Sequence, residues 1–109
     1  MKTPAEEEIY KEMGPNFNIL KINHNNLTLD SIMTLNIFSL KGESKIQNIK
    51  KEKNEIEYSA KINNNDLTFK SNIIVFKNHY LIITCATNTK FYNGSYPILN
   101  TIVNSFQKL

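Results

Sequence analysis

Three strand-length segments follow one another between Glu55 and Thr87, with only two short polar connections between them. In Glu55–Ile62 polar and apolar side chains alternate strictly, so Ile56, Tyr58, Ala60 and Ile62 share one face. Leu67–Phe76 puts Leu67, Phe69, Ser71, Ile73 and Val75 on a common side. Tyr80–Thr87 is apolar on both sides, with Tyr80, Ile82 and Ala86 opposed to Leu81, Ile83 and Cys85. That is the signature of a central strand covered on both faces. Connections as short as Asn63–Asp66 and Lys77–His79 can join only antiparallel neighbours, so the region predicts a meander. A chain committed to such a sheet must cover its apolar faces with whatever helices remain.

The flanking segments supply them. Leu29, Ile32, Met33, Ile37 and Leu40 recur at helical spacing, with Thr28 or Asp30 as cap and Lys41-Gly42 as the stop. Tyr96, Leu99, Ile102, Val103 and Phe106 form a second stripe, Ser95 capping and Pro97 in the first turn. Phe17–Ile22 reads as a further strand, with Asn23–Asn26 as the turn after it. Lys45–Lys53 carries only Ile46 and Ile49 as apolar anchors among its lysines, which suits an edge strand. Thr3-Pro4 and the run of glutamates up to Gly14-Pro15 predict a short N-terminal helix over residues 1–14. The expected organisation is that extension followed by one α+β domain over residues 15–109: an antiparallel sheet flanked by helices.

Composition narrows function mainly by exclusion. All 13 basic residues are Lys, and the net charge is only +3. Without the bidentate fork of Arg, specific nucleic-acid reading is not expected. One Cys excludes an internal disulfide and a cysteine-rich zinc site, and two His are few for a metal centre. No apolar run approaches the length of a membrane span. No leader pattern precedes a cleavage site within these residues. The 17 Asn and 15 Ile, with no Arg, match the codon bias of an A+T-rich genome.

Few residues offer chemistry. Glu55 and Glu57 share a strand side about 7 Å apart, a spacing compatible with paired-carboxylate catalysis but also with a solvated strand face. His79 falls in a turn beside Asn78, and His24 in an Asn-rich one. Cys85 in the most apolar strand reads as a buried, inert thiol. No phosphate loop, metal-binding helix motif or nucleophile elbow occurs. Neither a catalytic set, nor a metal site, nor a cofactor is therefore expected. The segment Lys90-Phe91-Tyr92-Asn93-Gly94-Ser95-Tyr96 reads as a loop with three aromatics around a flexible Asn-Gly, the kind of anchor found in protein interfaces.

The closing stretch HYLIITCATNTKFYNGSYPILNTIVNSFQ resembles the last segment of the PsbP-like superfamily. Tyr80, Phe91, Ile102 and Ser105-Phe106 stand at that family's strand tyrosine, loop aromatic and helix-ending Ser-Phe pair. Pro15-Asn16-Phe17-Asn18-Ile19 resembles its Asn-containing strand, and Thr28-Leu29-Asp30 the opening of its first long helix. The resemblance runs from Pro15 to Phe106 and implies an α/β/α sandwich lacking the family's first hairpin. The superfamily holds extrinsic proteins of photosystem II, bacterial lipoproteins of unknown function and a eukaryotic Ran-binding transport factor. It implies a non-catalytic binding or accessory domain, such as the soluble part of a bacterial surface lipoprotein. On that reading Phe91 packs beneath the last helix. The lost hairpin leaves one sheet edge open, which homodimerisation would cover. The alternatives are a small enzyme or small-ligand-binding domain, and an intracellular protein-interaction adaptor. Localisation follows from what precedes Met1: extracytoplasmic and membrane-anchored with a leader, cytoplasmic without one.

Overall fold

The computed structural model describes residues 14–62 and 64–107; the N-terminal helix expected over 1–14 lies almost entirely outside them. Five strands and two helices follow in the order β1 (Asn16–Asn23), α1 (Leu29–Lys41), β2 (Ile46–Glu52), β3 (Glu55–Ile62), β4 (Asn65–Val75), β5 (His79–Asn88) and α2 (Tyr92–Gln107). A 3-10 turn, Thr89–Phe91, joins β5 to α2. All strands form one antiparallel sheet in the order β1-β5-β4-β3-β2. The α+β architecture and the meander are as the alternation demands. β1 returns to the far side of β5, which makes β5 an interior strand.

Because adjacent strand residues point to opposite faces, the two helices can be assigned to faces from their contacts. Ile32 and Met33 of α1 are fully buried in a cluster with Ile56, Ile73 and Tyr80. Leu99 and Val103 of α2 cluster with Ile74, Leu81, Ile83 and Cys85, which point the other way. The layers are therefore helix, sheet, helix. Thr28 caps α1 as expected, its hydroxyl accepting from Ser31 N–H, and Gly42 closes the helix.

The asparagines have a backbone role that the chain's three glycines do not fill. Positive φ occurs at Asn26, Asn48, Lys53 and Asn64, and at no described glycine. Asn tolerates the left-handed region better than other residues with a Cβ. At Asn48 this conformation produces a β-bulge: the β2–β3 register shifts between Gln47 and Lys50. Ile49 can then join the α1-side cluster while Gln47 and Lys50 stay opposite Ser59 and Glu57.

The segment expected to be a loop from Asn88 to Gly94 is ordered differently. Asn88 accepts from Lys90 N–H through its side chain and starts the 3-10 turn. The helix then begins at Tyr92, four residues before the start of the predicted stripe, and Pro97 lies within it. Ser95 is not its cap. Its hydroxyl donates to the Phe91 carbonyl 2.7 Å away, and the residue is buried.

Candidate functional site

The early start of α2 sets the geometry of a cluster of ionisable and aromatic side chains on one face of the sheet. Glu55 and Glu57 of β3 point to the α2 side of the sheet, opposite Asn72 and Lys70 of β4. Beginning the helix at Tyr92 swings that ring over the same face, where its hydroxyl donates to Glu57 Oε1. Lys70 Nζ lies 3.4 Å from Glu55 Oε2 and 5.7 Å from the centroid of Tyr96. The Tyr92 and Tyr96 rings are 5.9 Å apart. On the outer side, Lys50 of β2 stands opposite Glu57 in the register. Glu55 and Glu57 do share a side, but they are partly buried beneath α2, not on an open solvent face.

The chemistry of this cluster is restrained. Burial, with the Glu57 carboxylate beside it, pushes the Tyr92 phenol far above its ordinary range, so it stays a hydrogen-bond donor. Burial likewise raises the Cys85 thiol, which is fully enclosed and kept from its reactive thiolate form. His79 sits at the start of β5 and stacks on Phe76, with ring centroids 4.7 Å apart. Its place at the far end of β4 is separate from the strand positions facing Glu55 and Glu57. Sequence had offered His79, Glu55 and Glu57 as polar candidates; the fold brings the two carboxylates to Lys70 and Tyr92 and leaves His79 outside. Among the described residues no group of three or more His, Cys, Asp and Glu is arranged to hold a metal ion.

The five residues read as an interaction loop divide in the same way. Tyr92 is half-buried over the sheet, whereas Lys90, Asn93 and Tyr96 are exposed, Tyr96 beside the Tyr92 ring and Lys70. Phe91 is exposed with Lys90 Nζ 5.0 Å from its centroid, so it is not packed beneath the last helix. Beside the cluster a polar groove of about 660 Å³ runs over β2 and β3. Lys50, Glu57, Ser59, Lys61, Asp66 and Thr68 contribute to its walls. A 2.8 Å hydrogen bond between the Thr68 and Thr89 hydroxyls joins the strand to the 3-10 turn at this margin.

The sheet's two edges differ sharply. β2 carries Lys50, Lys51 and the bulge at Asn48, devices that discourage pairing with another strand. β1 has no bulge and a single lysine, Lys21, and among the described residues no strand pairs along its outer side. Its register with β5 is unbroken from Asn16 opposite Ala86 to Asn23 opposite His79. Ile19 is 47% exposed and Leu20, pointing to the other face, 54%. The resemblance implies one open sheet edge; which side chains it exposes, Ile19 and Leu20, depends on where the helices lie. Among the described residues no helix is long and apolar enough to cross a membrane. Comparison of the chain with protein-family models, curated proteins and solved structures finds no match.

Proposed function

We propose that this chain is a non-catalytic binding or accessory domain that takes an extended polypeptide segment along the free edge of β1. The observation that carries this is the contrast between the guarded β2 edge and the unbroken β1, with Ile19 and Leu20 exposed on its two sides. Strand addition obtains affinity from main-chain hydrogen bonds and selectivity from alternate side chains. A segment with apolar residues in alternation suits both sides of this edge. The PsbP-like resemblance supports an accessory role and, with it, placement as the soluble part of a bacterial surface lipoprotein. A leader ending in a lipid-modified Cys ahead of Met1 in the gene would support that placement.

The test is amide hydrogen exchange on β1 with and without extended peptides of alternating Val, Ile and Thr. Edge amides are expected to exchange fast in the free monomeric domain and to slow at least tenfold when a peptide binds. Binding that persists unchanged in Leu20→Lys and Ile19→Lys removes β1 as the docking edge. A second reading, a small polar-ligand site, rests on the groove over β2 and β3. Turnover or ligand-induced stabilisation lost in Glu57→Gln would favour that reading over strand addition.

A further inference from the structure

The direction in which β1 presents its backbone follows from two hydrogen bonds. His24 N–H donates to the Asn78 carbonyl at 2.9 Å, and Phe76 N–H to the His79 carbonyl at 2.8 Å. Bonded and unbonded pairs alternate along an antiparallel ladder. With Ile22 opposite Tyr80 and Leu20 opposite Ile82, both bonds place the even-numbered residues of β1 in the bonded pairs with β5. Phe17, Ile19, Lys21 and Asn23 therefore aim their N–H and C=O groups at the free edge.

We infer that the segment received at this edge is β1 of a second copy of the chain, the two sheets joining about a two-fold axis. The inference rests on the strand-addition reading and specifies its occupant. An antiparallel pair of identical strands has its two-fold perpendicular to the sheet, so like faces become continuous. Each residue must then oppose one of the same parity, or the α1 face of one copy would run into the α2 face of the other.

Three such registers span most of the strand. Placing Lys21 on the axis sets two ammonium groups against each other, which is unfavourable. Placing Ile19 there sets Asn23 against Pro15, which has no N–H to return. Placing Leu20 on the axis pairs Ile19 with Lys21, Asn18 with Ile22 and Phe17 with Asn23. Every outward N–H and C=O of the four odd residues then has a partner. Lys21 is the single charge on β1, so this register brings no like charges directly opposite.

It also covers what the helices leave open. α1 makes its sheet contacts chiefly with β2 and β4, and α2 with β5 and β4; Phe17 and Ile22 of β1 reach the two cores, but Ile19 and Leu20 between them stay exposed. A second copy supplies Ile19 and Leu20 with neighbours on both faces at once.

Sedimentation equilibrium of the full chain should show a mass rising with concentration from 12.6 kDa toward double. Leu20→Cys places a thiol on the axis in an unbonded pair, where Cα atoms lie about 4.5 Å apart, within disulfide reach. It should cross-link under mild oxidation at least tenfold faster than Ile19→Cys. In that variant the mate is displaced along the partner strand by two residues, about 7 Å. Leu20→Lys should stay monomeric with an unchanged circular dichroism spectrum, and its Tm should not depend on concentration, whereas the Tm of the wild type should rise with concentration. A monomeric mass at every concentration, or equal cross-linking at positions 19 and 20, overturns the pairing. A monomer whose β1 amides are nonetheless protected by an added extended peptide overturns only the second copy as occupant. A monomer that no such peptide protects overturns the strand-addition reading as well.

Discussion

His24 Nε2 lies 2.8 Å from the carbonyl oxygen of Phe76, fifty-two residues away in the chain. Leu27 N–H donates to the other ring nitrogen, Nδ1, at 3.2 Å. An imidazole accepting at Nδ1 carries its proton on Nε2, so these bonds assign the neutral Nε2–H tautomer. The ring thereby ties the β1–α1 connection to the β4–β5 turn, with Tyr80 6.0 Å away. Replacing His24 by Ala should destabilise the domain by about 1–3 kcal/mol, read from urea unfolding. His24→Phe keeps a ring beside Tyr80 but makes neither bond. Stability equal to wild type in that variant would show that the hydrogen bonds contribute nothing.

Tyr92, Tyr58 and Cys85 give the protein an alkaline limit. Burial raises all three, and at Tyr92 the Glu57 carboxylate adds to it. Groups with a raised folded pKa contribute stability that is complete below the unfolded value. That contribution falls as the unfolded state ionises first. Thiols and phenols ionise in unfolded chains near about 8.5 and 10, so stability should decline from about pH 8.5 upward and more steeply past 10. Tyr92→Phe removes one titrating group and should flatten the limb above pH 10. It should also lower stability at neutral pH through loss of the bond to Glu57. A pH–Tm series on both proteins checks each part.

Asn72 is 2% exposed on the α2 side of β4, and its Nδ2 finds no hydrogen-bond partner. A buried amide donor without a partner carries a desolvation penalty of about 1–3 kcal/mol. Asn72→Val, similar in bulk and well suited to a strand, should leave Tm unchanged or raise it by a few degrees, about 1 kcal/mol. A large loss in calorimetry would mean that the amide oxygen contributes more than the orphaned nitrogen costs.

Lys53 turns the β2–β3 hairpin with φ 51°, between Glu52 and Glu55, which pair across it. A left-handed conformation costs an ordinary side chain about 1–2 kcal/mol. Lys53→Gly relieves this but loses part of the gain to the greater freedom of the unfolded chain. The expected net is a stabilisation of up to about 1 kcal/mol, measured by chemical denaturation. The neighbouring Asn54 donates from its side chain to the Ile73 carbonyl at 3.0 Å and accepts Ile73 N–H on its own carbonyl at 2.9 Å. Asn54→Ala should therefore destabilise the same hairpin.

The alternation of Ile56, Tyr58 and Ala60 and the two apolar sides of Tyr80–Cys85 make the sheet legible in the sequence itself. The stripe from Leu99 to Phe106 did the same for the last helix, though Tyr96 turned outward enough to be 39% exposed. The beginning of that helix was not legible. Asn93-Gly94 reads locally as a loop, and only the Asn88 side-chain bond and the contact of Tyr92 with Glu57 make the earlier turn favourable. The half-burial of Glu55 and Glu57 was missed for the same reason: α2 covers them from thirty-five residues and more along the chain.

Side-chain periodicity is a local property, and from it the sequence alone determined where the strands and the two helix cores lie, and most of the residues that turn inward, but not the start of α2. It also set the chemistry that is scarce here, with no Arg, one Cys and two His. The tertiary structure decided which strand would lie at each edge and how far each helix would reach over the sheet. Those outcomes depend on non-local pairing: β1 meets β5 across some sixty residues, and its exposure is set by helices packed on β2, β4 and β5. An open edge is a relation between distant segments, so no single segment encodes it.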